Sequence, residues 1–322
     1  MSSNRLPDPG PEQAPAEFGL IARHFRPLAG PGGLGLLDDA ALLDPPPGRT
    51  LVLTADAMVA GVHFLPDDPA ELVGRKLLRV NLSDLAAMGA VPLAYLMTVS
   101  APQETPDAWF AAFAGGLAQD QAAYGIALLG GDTTHTPGPL SLSLTCIGHV
   151  APGGAVRRSG AQLDDEVWVT GTIGDGALGL LAAQGRLADP DGALADRYRL
   201  PRPRLGLLEP GLVAAAMDVS DGLVQDLGHL ARAAGLAAEI EADQVPRSRT
   251  EPDWLETCLT GGDDYELLMA VRPGQAAALR ARAQAVGVPV TRIGRFCPGS
   301  GVRVLAADGA EIRLERAGWS HF

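Results

Sequence analysis

Apolar and polar positions along the chain follow two different periods. From Pro69 to Met88 the apolar positions, among them Leu72, Leu77, Val80 and Leu85, recur at helical spacing, and a second helix is predicted from about Pro106 to Tyr124. A shorter helix is predicted over Glu17–Phe25, with Phe18, Ile21 and Phe25 on one side. Runs at 34–43, 50–56, 93–99, 126–129 and 140–150 read as strands, the first two parted by the turn Asp44-Pro-Pro-Pro-Gly48. Ala151-Pro-Gly-Gly154 then punctuates the chain. Beyond it, strands near 167–170, 214–218, 237–241, 265–271 and 290–293 alternate with helices, one of them over 222–234. The pattern predicts a flexible start at 1–15, an α+β domain over 16–150 and an α/β domain over 151–322.

Composition changes this picture little. Hydrophobic residues make up 47% of the 322 positions and charged residues 20%, enough apolar material for two ordinary cores. The net charge of -13 disfavours nucleic acid and anionic lipid, whose binding needs Lys and Arg to displace counterions. The three cysteines, Cys146, Cys258 and Cys297, are widely spaced, form no CxxC pair and read as small hydrophobes. Apolar stretches are too short or too interrupted to span a bilayer, so a cytoplasmic protein with no membrane partner is expected.

The chemistry is carried by oxygen-bearing residues at strand ends and turns. Asp38-Asp39 interrupts the apolar run 34–43, where an unpaired carboxylate is costly unless it sits on a bulge or meets a cation. Asp56 ends the strand that also carries Thr54, and His63 follows it. Asn81, Ser83 and Asp84 form a polar patch within a helical, otherwise apolar segment, which a solvated face would also explain. Gly130-Gly-Asp-Thr-Thr134 and Gly261-Gly-Asp-Asp-Tyr265 each set glycines beside carboxylates, so that backbone can approach a ligand closely. Asp218-Val-Ser-Asp-Gly222 joins a strand to a helix, with Ser220 placed as N-cap and Asp221 in the first turn. No phosphate-binding Gly-x-x-x-x-Gly-Lys loop, His-Glu-x-x-His or Gly-x-Ser-x-Gly occurs. Hard oxygen ligands without paired histidines favour Mg²⁺, and Mg²⁺ favours phosphate substrates.

Taken in order, these segments resemble the thiamine-monophosphate kinase family of the aminoimidazole ribonucleotide synthetase superfamily. The matching pieces are Glu17–Ile21, Asp38–Leu42, Asp56 with Val59–Phe64, Asn81–Gly89, Gly130–Thr134, Arg158–Gly160, Asp218–Gly222, Gly261–Leu267 and Gly318–Phe322. The resemblance implies a two-domain fold of α+β and α/β character. In it the N-terminal domain pairs with its twin through a shared β-barrel, and the active site lies in the cleft beside the C-terminal α/β domain. It also implies transfer of the ATP γ-phosphoryl group to thiamine monophosphate by a homodimer using several Mg²⁺ ions.

By position, Asp39, Thr54, Asp56, Asp84, Asp132, Asp218 and Asp221 match metal-binding residues of that family. Gly131, Asp132, Arg158 and Ser220 match nucleotide contacts, while His63, Asp263 and Trp319 match positions near the acceptor. Charge stabilisation by the metals and Arg158 is implied, with no catalytic base. Three positions depart from the family pattern: Leu37 replaces a common glycine, Ala55 a hydroxyl residue, and Asp263 a glutamate. Two alternatives stay open: a relative acting on another phosphate or carboxylate acceptor, and a non-catalytic nucleotide-binding or regulatory protein that kept the fold, against which the retained Asp39, Asp56, Asp84, Asp132 and Asp218 speak.

Overall fold

A computed structural model of the protein describes residues 16–320; the predicted flexible start at 1–15 and the last two residues of Gly318–Phe322 lie outside the described residues. Contacts divide the chain into two units that interleave in sequence. The first takes the chain up to Pro45 with Ala55–Leu78 and Leu93–Cys146; the second takes Pro46–Thr54, Arg79–Pro92 and the chain from Ile147 onward.

The early part of the chain supplies helices α1 (Ala16–Leu20), α2 (Ala70–Ala87) and α3 (Asp107–Tyr124), and strands β1 (Thr50–Val59), β2 (Val91–Ala101), β3 (Ala127–His135) and β4 (Ser141–Val150). The strands form one sheet in the order β1-β4-β2-β3, with β2 and β3 parallel and Thr98 opposite Asp132. The sheet is open, ending on β1 and β3; the barrel expected from the resemblance is not closed within one chain. In the first unit an aromatic cluster forms the core: Phe25 meets Phe110 and Phe113 edge-on at 6.5 and 6.4 Å, and Trp109 stacks on Phe113 at 4.9 Å. Phe18 does not join them. A π-turn over Ile21–Phe25 rotates the chain after α1, burying Phe25 and leaving Phe18 exposed.

Two predicted elements need correction. The segment 34–43 is not a strand: Pro31–Leu36 forms a 3₁₀ turn in which Leu34, Gly35 and Leu36 have φ of 51°, 70° and 56°. The chain then doubles back, Leu42 N donating to Gly32 O at 2.9 Å, so the leucines cannot alternate across a sheet. Strand β3, predicted to stop before Gly130-Gly131, instead runs through both glycines to His135.

The rest of the chain carries β5 (Glu166–Thr170), α4 (Asp175–Ala183), α5 (Ala193–Arg199), β6 (Ala215–Asp218), α6 (Leu223–Ala234), β7 (Ala237–Glu241), α7 (Leu255–Thr260), β8 (Leu267–Val271), α8 (Ala276–Val286), β9 (Val290–Cys297) and β10 (Gly301–Leu305). Six strands make a mixed sheet in the order β10-β7-β9-β5-β8-β6, parallel only at the β10–β7 edge. Both faces are covered, which explains the unbroken apolar run of β8. Its Leu268 and Ala270 pack with Leu223, Leu227 and Leu230 of α6, while Leu267, Met269 and Val271 pack with Leu279 and Ala283 of α8. The apolar positions of α6 recur at helical spacing for this reason. Each fully buried leucine there contributes about 1.5–3 kcal/mol. All three cysteines are buried and none forms a disulfide, as expected of small hydrophobes. No helix among the described residues is long and apolar enough to cross a membrane.

Candidate active site

In the second unit, the polar patch of α2 is a buried one. Asn81 and Ser83 are fully buried beside Leu82 and Leu85, so the solvated-face explanation fails. Burial of a hydroxyl needs a partner, and Ser83 Oγ donates to Asp218 Oδ2 at 2.7 Å, where β6 ends. Asp218 is itself only 4% exposed. One residue on, Asp84 Oδ2 accepts a short hydrogen bond from Thr54 Oγ1 of β1. Burial pushes the Asp84 carboxyl above its usual range, against the Thr54 hydrogen bond and the charge of Arg158. Arg158 lies in the exposed turn Arg158–Gly160, and its charge also reaches His229 of α6.

The β6–α6 turn departs from the predicted cap. Gly222, not Ser220, is the N-cap of α6, and no side chain caps it. The carboxylate that serves this turn comes from inside the helix: Asp226 Oδ2 accepts Ser220 N at 3.0 Å and Asp221 N at 3.1 Å. Burial raises the Asp226 carboxyl to about 7 even though these N–H donors favour its charged form. Asp226 is therefore a site-building residue that the local pattern of the sequence hid, because Ser220 already satisfied the cap rule. Trp319 joins the same turn. Its N donates to Asp221 O at 2.8 Å, while Gln225 Nε2 donates to Trp319 O at 2.7 Å and to Asp221 Oδ2 at 3.2 Å. The ring stays 47% exposed. Asp263 N donates to Ser220 O at 2.8 Å, so Ser220, Asp221, Asp263 and Trp319 meet beyond the end of β6.

In the first unit, Asp56 follows Thr54 by two along β1 and shares its side of the strand. Asp132 is an exposed strand residue of β3. Gly131 beside it is required by close approach, since a Cβ there would lie 1.7 Å from Met97 O. Asp39 is exposed in the bend after the 3₁₀ turn, with no strand around it to strain. His63 is half-buried; its Nδ1 accepts Val59 N at 3.0 Å, which leaves the ring proton on Nε2, and Lys76 Nζ donates to its carbonyl at 3.0 Å.

Among the described residues, no three His, Cys, Asp or Glu side chains are grouped ready to hold a metal ion. The donor chemistry nevertheless fits a hard divalent cation. Thr54, Asp84 and Asp218 offer only oxygen, and the buried Asp84 carboxylate carries a desolvation cost that a cation would relieve. A second acidic group is formed by Asp264 and Glu266, which lie within the motif Gly261–Leu267 but carry no assigned role in it. Asp264 accepts Gly174 N at 2.7 Å and Gly176 N at 2.9 Å, and its burial raises the carboxyl to about 8. Glu266, 0% exposed, is held by Arg197, Arg204 and Thr170.

Comparison with known proteins identifies the family of the chain. Residues 37–150 match the model of the AIR synthase related protein N-terminal domain, and residues 162–306 that of the C-terminal domain. The thiamine-monophosphate kinase of Caulobacter vibrioides is 46% identical over 321 residues, covering 95% of this chain and 91% of the relative. The crystal structure of the thiamine-monophosphate kinase of Stenotrophomonas maltophilia superposes with a TM-score of 0.81 at 44% identity, over 92% of this chain and 98% of that one. The structure of AaThiL complexed with AMPPCP and TMP superposes with a TM-score of 0.75 at 31% identity, over 95% and 97%. With both domain models matched in order and relatives aligned over nearly the whole chain, this protein belongs to the thiamine-monophosphate kinase family of AIR synthase related proteins.

Proposed function

We propose that this chain transfers the γ-phosphoryl group of ATP to thiamine monophosphate, giving thiamine diphosphate and ADP. The observation that carries the reading is the pair of tied carboxylates, Asp84 under Thr54 and Asp218 under Ser83, in a chain 46% identical to a thiamine-monophosphate kinase. Asp39, Thr54, Asp56, Asp84, Asp132, Asp218 and Asp221 are proposed as the residues that hold Mg²⁺. When bound, such ions would offset the repulsion between the two phosphates and favour in-line geometry.

The chain's own groups do the rest. Arg158 supplies an exposed guanidinium suited to ATP phosphate oxygens, with Gly131, Asp132 and Ser220 on the nucleotide side. Trp319 presents an exposed aromatic face to a cationic thiazolium ring, and its backbone is fixed by Asp221 and Gln225. His63 and Asp263 complete the acceptor side. No general base is needed, since the second pKa of a phosphate monoester is about 6 and the acceptor oxygen is already ionised. Transfer is therefore direct: the acceptor oxygen attacks the γ-phosphorus and ADP leaves. With γ-labelled ATP, magnesium and thiamine monophosphate, the label should pass to thiamine diphosphate in a single turnover. Stoichiometric labelling of the protein by ATP alone, chased by acceptor, would contradict direct transfer.

The active form is a homodimer that buries the open face of the first sheet. On β1, Leu53, Ala55 and Ala57 all point to the exposed side, Leu53 at 62% exposure, and Leu96 and Thr98 of β2 are exposed as well. An apolar strip of this kind is a recognised interface signature, and a second copy would extend the open sheet toward the expected shared barrel. Leu53→Glu should convert the dimer to monomer in sedimentation equilibrium; an unchanged dimer would place the interface elsewhere. The compartment is proposed to be the cytoplasm, in keeping with three buried cysteines that form no disulfide.

A further inference from the structure

The segment Gly261–Glu266 adopts a backbone that its own residues disfavour. Gly262, Asp263 and Tyr265 have φ of 76°, 65° and 52°; an aspartate tolerates the left-handed region, but for the bulky Tyr265 it is unfavourable. Gly262 is further constrained, because a Cβ there would lie 2.4 Å from Ser220 O. Such a conformation persists only where the surroundings over-determine it.

Three sets of contacts do so. Asp263 N and Tyr265 N donate to Ser220 O and Val219 O, each at 2.8 Å. The Asp264 carboxylate is held by Gly174 N and Gly176 N at the start of α4. The third set comes from α5, where Arg197 Nη2 donates to Asp264 O at 3.2 Å and to Glu266 Oε1 at 2.9 Å. One nitrogen thus joins the middle of the segment to its end. Glu266 keeps Arg204, at 2.6 and 2.5 Å, and Thr170 at 2.5 Å as further partners, so its charge stays compensated if Arg197 is changed. Arg197 Nη1 makes no hydrogen bond among the described residues, so the hold on the loop runs through Nη2 alone.

We propose that Arg197 is a positioning residue for the phosphate acceptor: it locks Gly261–Glu266 in the left-handed form that sets Asp263 against the bound thiamine moiety. The inference rests on the kinase reading of the site and on the acceptor-side role of Asp263. Arg197 touches no substrate in this scheme; it acts through the loop, and ATP affinity does not depend on it.

The test is a two-substrate kinetic analysis of wild type, Arg197→Ala, Arg197→Lys, Asp263→Asn and the double variant Arg197→Ala/Asp263→Asn. In Arg197→Ala the KM for thiamine monophosphate should rise about tenfold, with kcat and the KM for ATP within about twofold of wild type. Arg197→Lys should recover part of the loss, and remains informative if the alanine variant does not fold. In the Asp263→Asn background the Arg197→Ala change should have no added effect, because contacting residues couple while independent ones add. Equal increases in both KM values, an unchanged acceptor KM, or additive penalties would overturn the proposal. If the wild type binds thiamine monophosphate in calorimetry but shows no turnover, the functional reading falls. The same comparison of variants by acceptor Kd then decides the positioning role. A wild type that does not bind this acceptor would overturn both.

Discussion

Replacing Asp84 by Asn is expected to lower kcat by about a thousandfold or more, the scale seen when a charge-stabilising element of a phosphoryl-transfer site is removed. The fold should survive. Asp84 accepts its short hydrogen bond from Thr54 through one oxygen, which the amide oxygen of Asn can replace. Burial raises the folded pKa of this carboxyl, so its contribution to stability is present below the unfolded carboxylate pKa and lost as pH rises through the folded value. At pH 7 without metal, Asn removes that cost. The urea midpoint of the metal-free variant should then equal or exceed that of wild type while its turnover collapses. A variant with near wild-type kcat, or one destabilised in the metal-free state, would show that Asp84 is a structural residue.

Glu266→Ala is the change expected to damage the fold itself, by about 3–5 kcal/mol, because it removes the acidic partner of two buried guanidinium groups. Arg197 and Arg204 have side chains only 9% and 13% exposed, and Glu266 receives hydrogen bonds from both. Leu267 N, bonded to Thr170 Oγ1 at 2.8 Å, belongs to the same cluster through the hydrogen bond from Thr170 to Glu266. Denaturant unfolding followed by circular dichroism measures the loss. A change under about 1 kcal/mol, the range typical of an exposed ion pair, would show that water already screens the cluster. Removing the shared carboxylate orphans two cations, whereas removing one arginine leaves the carboxylate paired.

The elements that the sequence revealed best are those decided by local periodicity. Helices α2 and α3 and strands β1, β2, β4, β5 and β7 lie within a few residues of their predicted spans, because one face or both meet a core that the apolar pattern records. Where the pattern misled, a contact distant in sequence had overridden it. Leu34–Leu43 looks like a buried strand, but left-handed backbone at Leu34 and Leu36 turns it back on Gly32. Gly130-Gly131 looks like a strand end; pairing with β2 carries β3 through it, and the glycine is needed for the closeness of Met97. Strand β10 leaves no periodic signal, because Gly301-Val-Arg-Val-Leu305 is short and its arginine pairs with Glu239 on the neighbouring strand β7, a fact no local window contains.

The proposed site divides in the same way. Asp84, Asp218, Ser220, Asp221, Asp263 and Trp319 were legible as residues from motifs in order, and within the second unit hydrogen bonds tie Ser83 to Asp218 and gather the last four around one turn. What the sequence did not disclose is the scaffolding: Asp226 under the Ser220–Asp221 turn, and Arg197 and Arg204 around the Gly261–Glu266 loop. These groups are isolated charges in the sequence. Their partners are brought to them only by the sheet and its helices.

Product identity under steady-state conditions tests the phosphoryl transfer to thiamine monophosphate without intermediaries. Purified protein with ATP, magnesium and thiamine monophosphate should form thiamine diphosphate and ADP in one-to-one ratio by chromatography, and formation should stop when magnesium is chelated. Absence of thiamine diphosphate, together with turnover of an aminoimidazole or formylglycinamidine precursor under the same conditions, would contradict the account.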